Sequence, residues 1–311
     1  MKGLRKVLTP FAPDQSGASG VVYSMGALIV IIDAGGCTGN ICGFDELRWR
    51  DTRSAVFSAG LRDMDAILGR DELLASKIES AASRIDASFV AIIGTPVPAT
   101  IGTDYKALKK LISNKVTIPV VAIPTNGMKT YNEGEWEAYK ALIDEFAKDS
   151  AEDESGEIIV GMTPLTYGDD YKDITLDDIK KIKSSRKLVA ASSSGIDACI
   201  YSGNDFEIYN PVVRANIPDG ITGKTLVCHD EVVGKTIRDA GIDADIATFF
   251  KLHDLIRKDG DRKLTEEDDF VAMVKEGSYD TIVADICLKE LVPDFEGKWI
   301  DLKCFAVSGR S

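Results

Sequence analysis

Short apolar runs alternate with amphipathic stretches along most of this chain. Residues 28–32, 89–93 and 120–123 are wholly apolar and rich in Ile and Val, the pattern of strands buried on both faces of a parallel sheet. After Asp71, Leu74, Ile78, Ala81 and Ile85 recur at helical spacing, and residues 105–112 and 135–146 carry the next two helical patterns. Strands alternating with helices form a βαβ series, so the fold class is α/β with parallel sheets.

The pattern then breaks at 148–157, KDSAEDESGE, an acidic stretch without apolar periodicity that reads as a linker. Beyond it come a strand at 158–162, a helix at 176–182, a strand at 188–191 and the serine run 192–194 leading through Gly195. A further series opens after Pro218 and Gly220: strand 225–228, helix 232–240, strand 244–249, helix 266–275, strand 281–284 and a last strand at 302–307. The expected organisation is two or three stacked Rossmann-like domains, divided as 1–150, 151–221 and 222–311. No internal repeat interrupts this reading.

Composition narrows the partners. With 311 residues and 44% hydrophobic content the chain can bury a large core. A formal charge of −13 argues against nucleic acid or an anionic membrane, both of which demand clustered Lys and Arg. A basic protein or an uncharged small molecule fits better. The apolar run 21–32 contains Tyr23, Ser24 and Gly26 and is too short to span a bilayer. No secretory h-region precedes Pro10 and Pro13, so a cytoplasmic location is expected. Six cysteines in such a chain point to free thiols or metal ligands rather than disulfides.

The candidate chemistry sits where the first apolar run ends. Asp33 marks the point at which that strand reaches water, and Gly35 and Gly36 then allow close approach to Cys37, with Cys42 following at C-x4-C spacing. Two thiolates on a glycine loop suit zinc or iron–sulfur ligation but leave a four-coordinate site half filled. A buried structural Cys37 with an incidental Cys42 is the competing reading of the spacing alone. Gly94, Thr95 and Pro96 end the second clear run and lie beside the Cys37 loop if the two strands are neighbours; Asp104 or Thr103 caps the helix that follows. Two Gly-Lys-Thr triplets, at 223–225 and 234–236, fail as phosphate loops because Pro218 and His229 stand where the leading glycine belongs. Cys228, His229 and Asp230 close a strand at a place where a cleft residue would lie, although a buried Cys228 and a hydrogen-bonded loop His229 explain them better. His253 has the same plain default, and Cys199, Cys287 and Cys304 read as structural.

Taken together, Gln15 to Ser19 before the first helix, Gly36-Cys37 after the first strand, Ala66 to Gly69 before Asp71, and Thr95 to Asp104 resemble the nitrogenase component 1-type oxidoreductase superfamily. Gly161 to Pro164 and Gly223 to Val227 resemble the openings of that family's second and third domains. Members that hold a cluster between subunits use several cysteines spread over the first domain. Here only Cys37 matches; Asp14, Val56 and Pro96 occupy the other places, and Cys42 is extra. No counterpart of the nitrogenase cofactor ligands is visible, which argues against dinitrogen reduction. The resemblance places the Gly-Cys loop near a two-fold axis between subunits. A homodimer then brings together Cys37 and Cys42 of both chains, four thiolates for one shared [4Fe–4S] cluster, with Asp14 as a spare ligand. The implied function is an oxidoreductase component that passes electrons from an ATP-hydrolysing iron protein to a small molecule in the cleft between domains. The alternatives are a non-catalytic scaffold for a tetrapyrrole or metallocluster, and a Cys37/Cys42 dithiol switch, disfavoured by a spacing that is not C-x-x-C.

Overall fold

The computed structural model describes residues 5–52, 54–147, 156–167, 171–185, 187–303 and 306–309. Cys304 and most of the expected linker at 148–157 lie outside the described residues. Three parallel sheets carry the chain. The first, in the order β2-β1-β3-β4, is built from β1 (Ala27–Ile31), β2 (Ala55–Ser58), β3 (Phe89–Ile93) and β4 (Val120–Ile123). Every residue of β1 and β3 is buried, as inner strands of a sheet covered on both faces require. Because β1 pairs with β2 on one side and β3 on the other, strand order reverses between β1 and β3. The loops leaving the carboxyl ends of those two strands therefore flank a crevice of the kind in which open α/β sheets bind ligands.

The second sheet is β5 (Ile158–Val160), β6 (Leu188–Ala190) and β7 (Phe206–Ile208) in sequential order. The third, in the order β10-β9-β8-β11-β12, is built from β8 (Thr225–Cys228), β9 (Ala244–Thr248), β10 (Arg262–Lys263), β11 (Thr281–Ala284) and β12 (Lys298–Asp301). Its order reverses between β8 and β11, so His229 and Asp230, which follow β8, lie at a second crevice. One continuous apolar cluster joins Ile29 and Ile93 of the first sheet to Val160 and Leu188 of the second and Ile246 of the third.

The structure corrects two expectations. Among the described residues the last strand is Lys298–Asp301, paired with β11; of the expected 302–307 run, residues 304 and 305 lie outside the described residues, and among the rest only Val307 makes an isolated bridge, to Phe11. Residues 15–19 do not precede the first helix but lie inside it, in Asp14–Val22, all nine residues of which are buried. That helix crosses Tyr131–Phe146 with the two backbones in contact: a Cβ on Gly17 would meet the Tyr131 carbonyl oxygen at 2.0 Å, and one on Gly134 the Asp14 carbonyl oxygen at 1.8 Å. The second helix also starts earlier than its apolar pattern. Thr130 and Glu133 form a capping box, with the Thr130 N–H donating to the Glu133 carboxylate at 2.8 Å. Among the described residues, no helix is long and apolar enough to cross a membrane.

Candidate functional site

The segment after β1 is pinned at both ends by buried carboxylates. Asp33 does not reach water as its place in the sequence suggests; it is fully buried. Its Oδ2 accepts from the Thr38 N–H at 2.8 Å and the Thr38 hydroxyl at 3.0 Å, and its Oδ1 accepts from the Ser58 hydroxyl at 2.5 Å. Gly35 then turns the chain at φ 113°, a value that an L side chain rarely adopts. A short helix, Gly36–Asn40, runs directly into a single π turn, Ile41–Asp45, an irregularity frequent at functional sites. Asp45 closes the far end: its carboxylate accepts from the hydroxyls of Ser16 at 2.6 Å and Ser308 at 2.5 Å and from the Asn40 amide at 2.9 Å.

Between these anchors Cys37 and Cys42 are free, half-buried thiols. The glycines around them stand in open space: a Cβ on Gly35, Gly36, Gly39 or Gly43 would meet nothing within 4 Å. Burial raises the Cys37 thiol above its ordinary pKa and the Asp33 carboxylate adds to it, against a hydrogen bond with the buried Thr95 hydroxyl. Burial likewise raises Cys42, with Glu46 adding. Both are therefore protonated at neutral pH, which suits neither a nucleophile nor a dithiol switch.

The contact with Thr95 places the Gly94-Thr95-Pro96 loop beside the Cys37 loop, as the pairing of β1 with β3 requires. Several large apolar side chains are exposed on the strands and connections of this sheet. Phe44 on the π turn is 59% exposed, Met128 after β4 is 84% exposed, and Phe57 on β2 and Ile101 after β3 are also exposed.

Other candidate residues lie elsewhere. Asp14 is not available as a ligand: it is fully buried, and its carboxylate accepts from the N–H groups of Gln15, Asn126 and Gly127 at 2.9, 2.9 and 2.6 Å. Val56 lies on β2 and Pro96 opens a helix. Cys199 is buried in the helix Ser193–Ser202 and its thiol is pushed up to about 12 by burial. Cys228 ends β8 in the core, and Cys287 is half-buried against the third sheet. Burial opposes charge on His253, but its hydrogen bonds to Asp197 and Glu231 outweigh that and hold its pKa at about 9. No group of three or more His, Cys, Asp or Glu among the described residues could hold a metal ion. One chain thus presents two thiols, half of what a four-coordinate metal or cluster takes.

A second feature lies where the sequence offers His229 as a cleft residue. At the crevice of the third sheet a cavity of about 470 Å³ is lined by Leu165, Thr166, Tyr167, Val213, His229 and Leu302, among others. It is within the size range of small-molecule sites and has their mix of apolar walls and few polar groups. Burial lowers His229 to about 4, so its ring is neutral, with Nε2 2.8 Å from the Lys303 carbonyl oxygen. Behind the wall lie two buried carboxyls. Burial raises Asp230 to about 6 and Glu231 adds to this, against hydrogen bonds from Ser193 and Val232. Burial raises Glu135 to about 8, against hydrogen bonds from Ser194 and Thr163, with Asp230 adding.

The fold has counterparts among solved structures, and the sequence has a family. The family model for nitrogenase component 1 type oxidoreductases matches residues 15–197. Among solved structures, one titled "Nitrogenase Cp1 at pH 6.5" superposes with a TM-score of 0.70 at 11% identity, covering 99% of this chain and 88% of its own. Another, "Nitrogenase Cp1 at pH 5", gives 0.61 at 13% identity, covering 97% and 85%. No curated protein sequence matches. At such identities the structural matches speak for the fold, and the family model, spanning more than half of the chain, speaks for descent: this chain belongs to the nitrogenase component 1-type oxidoreductase family.

Proposed function

We propose that this chain is the cluster-holding component of a nitrogenase-like reductase, in which Cys37 and Cys42 of two identical chains together hold one [4Fe–4S] cluster. The observation that carries this reading is the pair of free thiols on a loop whose four glycines have open space beside them, with Phe44 exposed on the same loop and Phe57, Ile101 and Met128 exposed on strands and connections of the same sheet. Exposed apolar side chains of this kind mark a partner surface. The donor set fits the group only across two chains, since each offers two thiolates and Asp14 is committed to backbone amides. An isologous contact doubles the set.

When bound, the cluster would supply one-electron transfer between a donor and a substrate. The chain's own residues do the rest. Asp33 and Asp45 fix the loop, Thr95 contacts the Cys37 sulfur, and the glycines let the two loops approach. As the family resemblance implies, an ATP-hydrolysing iron protein is the electron donor. The cavity at the third sheet's crevice takes the substrate: its apolar walls and neutral His229 fit an uncharged small molecule with few hydrogen-bonding groups.

Gly36→Val tests the shared site. Because nothing lies within 4 Å of the added Cβ in one chain, the variant is expected to keep its circular dichroism and melting temperature as a monomer. Dimerisation and bound iron should fall together. A Gly36→Val protein that remains a dimer with full iron content would place the cluster elsewhere.

A further inference from the structure

We propose that Glu135 stores a proton and that Thr163 and Thr166 conduct it to the cavity at the crevice of the third sheet. Glu135 projects from the helix Tyr131–Phe146 and is fully buried. Its two partners are both hydroxyls. The Thr163 hydroxyl lies 3.2 Å from Oε1, and the Ser194 hydroxyl donates to Oε2 at 2.7 Å. The Thr163 and Thr166 hydroxyl oxygens are 3.2 Å apart, and Thr166 is part of the cavity wall.

A proton on Glu135 would turn these hydroxyls into one continuous donor chain. In the structure the Thr163 hydroxyl donates to Glu135 Oε1 at 3.2 Å and accepts from the Tyr131 hydroxyl at 3.0 Å; with a proton on Glu135 the first bond reverses, and the Thr163 hydroxyl turns to donate to Thr166 Oγ1, 3.2 Å away. Thr166 at rest donates to the Thr163 carbonyl oxygen at 2.6 Å. Rotation of that one hydroxyl aims its proton into the cavity. The charged groups around Glu135 favour the acid. Asp230 repels a second negative charge from the start of the helix Glu231–Asp239. The tyrosines near it, Tyr131 and Tyr139 on its own helix and Tyr167 on Pro164–Tyr167, stay neutral because burial raises all three. With no cation bonded to it, the carboxyl keeps its proton near neutral pH, at about 8.

The transfer balances without electrons. The Glu135 proton passes to Thr163 Oγ1 as the Thr163 proton passes to Thr166 Oγ1 and the Thr166 proton passes to an acceptor in the cavity. Glu135 is left as a carboxylate and regains a proton from cavity water by the reverse sequence. This deepens the proposed reduction, because a molecule that gains electrons in an apolar cavity must also gain protons. It rests on that reading only for the identity of the acceptor.

Infrared spectroscopy of the metal-free chain tests the path apart from any cluster. The carbonyl band of the Glu135 carboxylic acid is assigned by its loss in Glu135→Gln, and its shift is followed in time after transfer into heavy water. We expect Thr166→Val to slow that shift about 100-fold, Thr166→Ser to restore it, and Ser194→Ala, on the other side of the carboxyl, to leave the rate within a few-fold. Thr163→Val breaks the same path at its second hydroxyl and should match Thr166→Val. The proposal is overturned if Glu135→Gln removes no carboxylic acid band at pH 7. It is equally overturned if both valine variants fold and exchange as fast as the parent, or if Ser194→Ala slows exchange as much as they do. Iron binding at Cys37 is measured separately, so failure here leaves the cluster reading standing, and the reverse also holds.

Discussion

Cys37→Ala is expected to abolish cluster binding while leaving the fold in place. In a site shared across a two-fold axis, one substitution removes a ligand from each chain, so two of four thiolates are lost at once. Structural cost is small: Cys37 is half-buried and only packs at the edge of the core, so truncation to Ala should cost about 1 kcal/mol. Cys42→Ala should behave alike. The check is iron and acid-labile sulfide after anaerobic reconstitution, with electron paramagnetic resonance of the reduced protein. Because both thiols start protonated, cluster assembly releases their protons and should be more complete at pH 9 than at pH 7. Retention of iron and an unchanged optical spectrum in the double variant would remove Cys37 and Cys42 from the site.

Glu135→Gln should alter the pH dependence of stability more than any surface change. The Glu135 carboxyl rises on folding from its ordinary 4.5 to about 8. A group with a raised folded pKa contributes fully below its unfolded pKa, and the contribution is lost as pH rises through the folded one. Over that window the parent should lose on the order of 4 kcal/mol from this residue, a loss that glutamine, neutral and of the same shape, does not suffer. The melting temperature of Glu135→Gln should therefore exceed that of the parent at pH 9 by much more than at pH 5. His253 also titrates across this range but is common to both proteins and cancels in the difference, whereas Asp230, which repels an ionised Glu135, adds to the loss that glutamine avoids. A difference independent of pH would mean that Glu135 is ionised in the folded protein.

What was legible in the sequence follows burial. The inner strands read as apolar runs because both of their faces are covered. The strands missed, β2, β7, β10 and β12, are all sheet edges with half-buried or exposed residues, and edge strands carry polar residues that break an apolar run. The two cysteines could be found because glycines and a terminating strand frame them. Their anchors could not. Asp33 and Asp45 look like ordinary polar loop residues, and only the partners brought to them by Thr38, Ser58, Ser16 and Ser308, distant in sequence in three of the four cases, make them structural. Asp14 misled for the same reason, since its amide partners at 126 and 127 lie far along the chain. Glu135 did leave a signal: it falls at helical spacing on the buried stripe formed by Tyr131, Ala138, Tyr139 and Leu142, where a carboxyl is out of place. Of the cavity only His229, at the end of a strand, left a signal, because its other walls come from segments as far apart as Leu47 and Val307 that only the packing of the sheets brings together.

The central claim is a cluster completed by two copies of one chain, and its most direct test is the intact mass of the anaerobically reconstituted protein under native conditions. The account predicts two chains carrying one cluster of four irons and four sulfides, with Cys37→Ala giving chains free of iron. A stable monomer that holds a complete cluster of its own, or a dimer with one full cluster in each chain, would contradict it.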